Sequence, residues 1–141
     1  MIFIDTWGFK AYIDKKEEKH TKVKEYIEKT WKNKQQLVTS DYIIDETITL
    51  LSYRLDYEKV KIFIEKLELS IDRGYINLVR VSIEDFEEAI KKKLKYKDKL
   101  GISFTDLTSM EIMLRLKIEN IITEDKHFQD VGFGFKALFV K

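Results

Sequence analysis

The sequence predicts an α/β fold: one domain over residues 1–141, with a mainly parallel central sheet flanked by helices on both faces. Short apolar runs typical of buried strands alternate along the chain with longer runs of helical periodicity, and this order favours a parallel sheet. A length of 141 residues is close to the commonest size of a single domain. The chain has no proline and its five glycines are scattered, so no linker or domain boundary is visible.

Each predicted element rests on a local pattern. Apolar residues fill the strand-like runs, and from Asp41 to Leu55 they recur at a helical spacing. Ser82 predicts the start of a helix because Asp85 follows it at the spacing of a capping box. We expect strands at 1–5, 36–40, 75–81, 119–123 and 136–141, and helices at 7–31 (one or two, broken near residue 20), 41–55, 57–70, after 82 and at 103–117.

The composition excludes several kinds of site. The chain has no cysteine, so it forms no disulfide, no zinc–thiolate site and no thiol nucleophile. Its net charge of +1 means that any binding of nucleic acid depends on local patches rather than on bulk charge. No run approaches the roughly 20 apolar residues of a membrane span, and the start MIFI lacks the features of a signal peptide. We therefore expect a cytoplasmic protein with no membrane association.

Four acidic residues stand at or near the ends of predicted elements, in the segments MIFIDTWGF, VTSDYIIDETITLL, ISFTDLTSMEIM and IITEDKHF. They are Asp5, Glu46, Asp106 and Asp125. In open α/β sheets, ligands bind at the carboxyl ends of the strands. Carboxylate oxygens are the ligands that Mg²⁺ and Mn²⁺ prefer. The pattern therefore suggests one metal site. Motifs of other nucleotide-binding and hydrolytic sites, such as GxxxxGK[ST], GxGxxG, GxSxG and HExxH, are absent.

Two of these acids have a simpler interpretation. Asp106 follows Ser103 at the spacing of a capping box, so it could satisfy the N-terminus of a helix. Asp5 ends an apolar strand and could be the N-cap of the next helix. A carboxylate can have both roles, because a helix N-terminus also holds it in place.

The other two acids each have an acidic neighbour. Helical periodicity does not choose between Asp45 and Glu46, because both are about equally far from the centre of the apolar face. Glu124 stands beside Asp125, and Thr123 with Asp125 could form a turn.

The four segments resemble the motifs of PIN-domain ribonucleases, and especially of the VapC-type toxins of bacterial and archaeal toxin–antitoxin pairs. The resemblance covers the chain almost end to end, through FIDTW, SDYIIDETITLL, SFTDLTS and the T-x-D-x-H-F run that starts at Thr123. It selects Glu46 over Asp45 and Asp125 over Glu124 as the site residues.

This resemblance implies an endoribonuclease that cuts single-stranded or looped RNA and leaves a 5′ phosphate. Its catalytic and metal-binding residues would be Asp5, Glu46, Asp106 and Asp125, with one or two Mg²⁺ or Mn²⁺ ions as cofactor. The expected partners are the RNA substrate, a small antitoxin protein and a second copy of the chain in a homodimer. Trp7, Phe9 and Tyr12 on the first helix would suit a groove for the antitoxin tail. A housekeeping RNA-processing nuclease and a non-catalytic PIN-like interaction module are the alternatives.

Other polar residues have open assignments. The lysine run KKKLKYKDKL could follow RNA phosphates or could be a solvated helix surface; its lysines are Lys91, Lys92, Lys93, Lys95, Lys97 and Lys99. We expect His20 on the surface and a structural role for His127. Four hydroxyl side chains could either bond a metal-bound water or a ligand carboxylate, or cap helices: Thr6, Ser40, Thr105 and Thr123.

Overall fold

A computed structural model of the protein describes residues 1–97 and 101–141. Within these residues, five strands form one sheet in which every pairing is parallel, in the order β3-β2-β1-β4-β5. The strands are β1 (Ile2–Ile4), β2 (Leu37–Ser40), β3 (Ile76–Val79), β4 (Asn120–Ile122) and β5 (Lys136–Ala137). Helices flank the sheet, so the predicted α/β fold class is confirmed.

The order of the strands brings the two ends of the chain together. β1 is central and pairs with β2 on one side and with β4 on the other, in the registers Ile2 to Leu37 and Phe3 to Ile121. From β1, the strands β2 and β3 are added on one side of the sheet and β4 and β5 on the other. This makes β1 the topological switch point, which is where α/β folds bind ligands. The residues that follow β1 and β4 consequently lie side by side at the carboxyl edge of the sheet.

The described residues form seven helices, most of which begin at an acidic or serine cap. They are α1 (Thr6–Ile13), α2 (His20–Lys32), α3 (Asp41–Arg54), α4 (Tyr57–Asp72), α5 (Ile83–Lys95), α6 (Phe104–Leu116) and α7 (His127–Asp130). The capping box predicted at Ser82 and Asp85 is confirmed, since each side chain accepts a hydrogen bond from the other residue's backbone N–H. A second capping box joins Ser103 and Asp106 at the start of α6. None of the helices in the described part of the chain is long and apolar enough to cross a membrane.

The centre of the sheet is buried on both faces, as expected for parallel strands. Phe3, Ile4, Val38 and Ile121 are at most 1% exposed. α1 packs so closely on this sheet that a Cβ atom at Gly8 would lie 2.6 Å from the Ile4 side chain. Glycine at this position therefore allows α1 to begin directly after β1, which fixes the position of the first acidic residue.

Two local predictions were wrong, and one short helix was missed. α7 was not expected, and the last strand covers two residues instead of 136–141. His20 is half-buried rather than on the surface, because its ring nitrogen Nδ1 lies 2.8 Å from the carbonyl oxygen of Ala11. It begins α2 and joins that helix to the end of α1.

Charged side chains hold α5 against α6. Lys92 forms an ion pair with Glu111, whose side chain is buried. Asp85 accepts two hydrogen bonds from the Arg115 guanidinium, with N–O distances of 3.1 and 2.8 Å. The Lys93 ammonium donates to the carbonyl oxygen of Ile102 at 2.7 Å. These bonds give Lys92 and Lys93 a role in packing the two helices.

The lysine run is therefore not a uniform basic face. Lys91 pairs with Glu88 at 3.0 Å, and the ammonium of Lys95 lies 5.7 Å from the centre of the Tyr96 ring. Lys97 is exposed. Lys99 lies outside the described residues. Of the two interpretations, a role in following RNA phosphates no longer suits Lys92 and Lys93, whose ammonium groups bond to Glu111 and to the carbonyl oxygen of Ile102.

We expect Lys92→Ala to lower the free energy of unfolding by about 3 kcal/mol, because it leaves the buried Glu111 carboxylate without its partner. Lys97→Ala is the matched control and should change stability by less than about 0.5 kcal/mol. Urea unfolding of both variants measures the difference. Equal stabilities would mean that the ion pair does not hold the helices together.

Candidate active site

Two acidic residues reach the same edge of the sheet on adjacent strands. Asp5 follows β1 directly and is the N-cap of α1, where its Oδ1 accepts a hydrogen bond from the Gly8 N–H at 2.9 Å. Asp125 follows β4 after two residues, and its Oδ1 accepts from the His127 N–H at 2.9 Å. Because β1 and β4 are parallel neighbours, the two carboxylates lie near the same end of these strands, and the charge of Asp125 raises the pKa of Asp5.

The other two acids are brought to this edge by helices. Asp106 is in the first turn of α6, where its Oδ2 accepts from the Ser103 N–H at 3.0 Å. Glu46 lies in the second turn of α3, and its side chain is exposed. The negative charge of Glu46 raises the pKa of Asp106, so the two carboxylates are electrostatic neighbours.

The pKa values show that the four carboxyl groups form one electrostatic cluster. The pKa of Asp5 is raised to about 7, mainly by burial and in part by the charges of Asp106 and Asp125, against the lowering effect of hydrogen bonds from Thr123 and Gly8. The pKa of Asp106 is raised to about 6, again mainly by burial, with contributions from the charges of Asp125 and Glu46. A nearby like charge disfavours the ionised form of a carboxyl group. The carboxylates at this edge of the sheet therefore repel one another when they are ionised.

Three of the acids line one open cleft. Its walls also carry cationic side chains, the end of the chain and an aromatic ring. The cleft is lined by Asp5, Thr6, Trp7, Lys10, Glu46, Leu50, Arg54, Thr123, Glu124, Asp125, Lys126, His127, Val140 and Lys141. Asp106 is not among these lining residues, although its pKa responds to both Asp125 and Glu46.

The cluster has the donor chemistry of a site for a hard divalent cation. Its ligands would all be carboxylate oxygens, which suit Mg²⁺ and Mn²⁺. A bound cation would offset both the burial and the like charges that raise the pKa values of Asp5 and Asp106. As the side chains stand, no group of three or more histidine or acidic residues among the described residues is arranged to hold a metal ion. The residues fit such a cation in donor type.

The hydroxyl residues divide between the two predicted roles. Ser40 is a helix cap, because its Oγ accepts from the Ile43 N–H at 3.1 Å at the start of α3. Thr123 connects two of the acids: its hydroxyl accepts from the Asp125 N–H at 3.1 Å and hydrogen-bonds to the carboxyl group of Asp5. The Thr6 hydroxyl lines the cleft and is buried, with no hydrogen-bond partner among the described residues.

His127 lies beside the site without the geometry of a catalytic base. Its ring nitrogen Nδ1 is 2.8 Å from Oδ1 of Asp125 but is not aligned for a hydrogen bond. The ring packs against Gly101, where a Cβ atom would lie 2.5 Å from Cε1. This close approach agrees with the structural role predicted for this histidine.

Several cleft residues were not predicted from the sequence. Arg54 and Lys126 line the cleft and have no acidic partner within 4.0 Å among the described residues. Lys10 also lines it and pairs with Glu17 at 3.1 Å. Arg54 follows Glu46 by eight residues on α3, so helical spacing alone could have indicated that it lies on the same side of the helix.

The first helix offers less apolar surface than expected. Phe9 is only 5% exposed and packs edge-on against the Phe63 ring, with 5.9 Å between ring centres. Trp7 and Tyr12 are half-buried. The prediction that all three residues line an exposed groove is therefore wrong for Phe9.

Comparison with known proteins places this geometry in context. The PIN domain family matches residues 2–134. A solved structure of VapC20 from Mycobacterium tuberculosis, described as a sarcin-ricin loop cleaving toxin, superposes with a TM-score of 0.79 and 25% identity and covers 94% of this chain and 96% of that one. VapBC2 from Rickettsia felis, described as bound to a DNA fragment from its promoter, has a TM-score of 0.64 and 16% identity over 94% of each chain, and at this identity it shows the fold alone. No curated protein matches the sequence.

Proposed function

Because the chain belongs to the PIN domain family, we propose that it is a metal-dependent endoribonuclease and the toxin of a toxin–antitoxin pair. The observation that carries the proposal is the cluster of Asp5, Glu46, Asp106 and Asp125, whose carboxyl groups come from four separate segments. The charges of the other acids add to the effect of burial in raising the pKa values of Asp5 and Asp106. The similarity to VapC20, which is described as a sarcin-ricin loop cleaving toxin, supports both the activity and the biological role.

The proposed reaction is the hydrolysis of an RNA phosphodiester, in which water adds to phosphorus, the bond to the 3′ oxygen breaks and the 5′ phosphate remains on the downstream fragment. We propose that Asp5, Glu46, Asp106 and Asp125 hold one or two Mg²⁺ or Mn²⁺ ions. A bound cation of this kind activates water and neutralises charge on the phosphate and the leaving oxygen.

The chain's own groups prepare this chemistry in two ways. Backbone N–H groups of Gly8, Ser103 and His127 each bond one carboxylate and fix its direction. Arg54 and Lys126 add positive charge to the wall of the cleft beside the acidic residues. This charge favours the approach of a phosphate to a cluster of carboxylates.

We expect the purified protein to cut single-stranded RNA in Mg²⁺ or Mn²⁺ and to stop in excess EDTA. Ca²⁺, which is larger and accepts looser geometry, should bind without comparable turnover. Gel analysis of a labelled RNA in each cation measures this. Full activity in EDTA would disprove the metal-dependent mechanism.

For the toxin role, we propose a small antitoxin whose tail reaches the acidic cleft and a homodimer of this chain. A neighbouring gene should encode a short protein with a DNA-binding head, apolar residues in its tail and a cationic side chain for the carboxylates. Expression of this chain alone should arrest growth, and co-expression of that protein should restore it. Harmless expression of an active nuclease would favour the alternative of a housekeeping RNA-processing enzyme.

A further inference from the structure

We propose that Tyr42 and Tyr53 on α3 form a stacking site for an unpaired nucleobase of the RNA, close to the phosphate that is cut. The inference rests on the proposed nuclease function and extends it, because it assigns residues that recognise the substrate outside the carboxylate cluster. Its evidence is the placement, exposure and charge of one groove beside the acidic cleft.

The two tyrosines lie on the same face of α3 as Glu46. Tyr42 precedes Glu46 by four residues and Tyr53 follows it by seven, with Leu50 between them, and residues at these spacings share one side of a helix. The groove along this face is lined by Tyr42, Asp45, Glu46, Thr49, Leu50, Tyr53 and Thr105. Glu46 and Leu50 also line the acidic cleft, so the groove and the cleft are continuous.

The groove lies at a distance that suits a nucleotide near the cleaved bond. With a rise of about 1.5 Å per residue, Tyr53 is about 10 Å along the helix axis from Glu46. Stacked nucleotides of one strand advance by about 3.4 Å each. A base on Tyr53 would therefore be within about three nucleotides of a phosphate at Glu46.

The Tyr53 ring is exposed to water and makes no contact within the described residues that would explain its position. Tyr53 is 86% exposed, more than any other large apolar or aromatic residue in the described part of the chain. Neither Tyr42 nor Tyr53 takes part in a ring contact or a side-chain hydrogen bond in the described part of the chain. By contrast, Trp7, Tyr12 and Trp31 all pack against other rings. An exposed aromatic face is a surface on which any base can stack.

The charges favour a base over a phosphate in this groove. Its charged lining residues are Asp45 and Glu46, both negative, and no lysine or arginine lines it. The cationic side chains nearby line the acidic cleft instead: Lys10, Arg54, Lys126 and Lys141. The phosphates would therefore lie on the cationic side of α3 and a neutral, flat base on the tyrosine side. A second copy of the chain fits less well, because a protein interface here would have to desolvate two unpaired carboxylates.

The first experiment measures binding of a single-stranded RNA oligomer in Ca²⁺ by fluorescence anisotropy. Stacking of one base is worth roughly 1 to 3 kcal/mol, so Tyr53→Ala should weaken binding by roughly 5- to 150-fold. Tyr53→Phe keeps the ring and should bind like the wild type. Tyr57→Ala is the matched control, since Tyr57 is 75% exposed on the next helix and does not line the groove. Equal weakening by Tyr53→Ala and Tyr57→Ala would overturn the proposal.

The second experiment replaces one base of the oligomer at a time by an abasic site. In the wild type, one position near the cleaved bond should show a clear loss of affinity, and in Tyr53→Ala the same replacement should cost nothing further, because the ring and the base act as a pair. The proposal would be overturned if the abasic site cost the same affinity in the wild type and in Tyr53→Ala. It would also be overturned if sedimentation showed that Tyr53→Ala breaks a dimer while the affinity lost at the abasic site stays as in the wild type. Absence of RNA cleavage in Mg²⁺ with this coupling intact would count against the nuclease function alone.

Discussion

Replacing Asp5 by asparagine is expected to stabilise the metal-free protein by about 2 to 4 kcal/mol at pH 8 while abolishing RNA cleavage. Asparagine is as good an N-cap as aspartate, so the hydrogen bond from the Gly8 N–H is kept and only the buried charge is removed. One pKa unit corresponds to about 1.4 kcal/mol. Moving the pKa of Asp5 from 3.8 to about 7 therefore lowers the stability of the folded protein at high pH.

The pH dependence gives the sign of this effect. Between the ordinary pKa of 3.8 and the raised value of about 7, the folded protein holds a proton at Asp5 that the unfolded chain has released. Stability from this group therefore falls as pH rises through that range. Urea unfolding in EDTA should show little difference between wild type and Asp5→Asn at pH 4 and the full difference at pH 8. A variant that is less stable than the wild type at both pH values would contradict the buried-charge interpretation; Asp45→Asn, an exposed acid on α3, is the control.

Replacing Asp106 by asparagine should reduce cleavage by more than roughly 100-fold. Loss of a residue that only supports a metal ligand costs up to about 100-fold, and Asp106 is proposed to be a ligand itself. The metal-free protein should be as stable as the wild type or more stable by about 1 kcal/mol, because the raised pKa of Asp106 reflects burial and the charges of Asp125 and Glu46. The variant should also lose most of the stabilisation that Mg²⁺ gives to the wild type, since a ligand stabilises only the state that binds it.

Ser103→Ala separates the two roles of Asp106. It removes the hydroxyl that caps α6 but leaves the carboxylate, so it should lower stability by about 1 kcal/mol and keep the response to Mg²⁺. Thermal unfolding with and without Mg²⁺ measures both variants. If Asp106→Asn lowers the metal-free melting temperature and cleavage survives, Asp106 serves only as part of the capping box.

The sequence predicted the elements whose signal is local. Apolar runs marked β1 and β2, and the spacing of Ser82 and Asp85 marked the start of α5. α7 has four residues, too few to show a helical period, and was missed. The capping bonds of Asp5 and Asp106 could also be expected from neighbouring residues.

The arrangement of the site could not be predicted from local patterns. The effect of Asp125 on the pKa of Asp5 depends on the pairing of β1 with β4, which joins residues more than 100 positions apart. The lysine run shows the same limit, because the ion pair of Lys92 depends on Glu111, which is 19 residues away on another helix. A resemblance between whole motifs could select the acids because it carries this long-range information.

The central claim is that these four acids, and not their acidic neighbours, bind the cation. Mn²⁺ titration followed by electron paramagnetic resonance tests it on two matched pairs: Glu46→Gln against Asp45→Asn, and Asp125→Asn against Glu124→Gln. We predict that the first variant of each pair loses Mn²⁺ affinity by at least about tenfold and that the second binds like the wild type. Equal losses within each pair would mean that the cation responds only to the total charge of the cleft, and loss confined to Asp45→Asn or Glu124→Gln would contradict the assignment of the site.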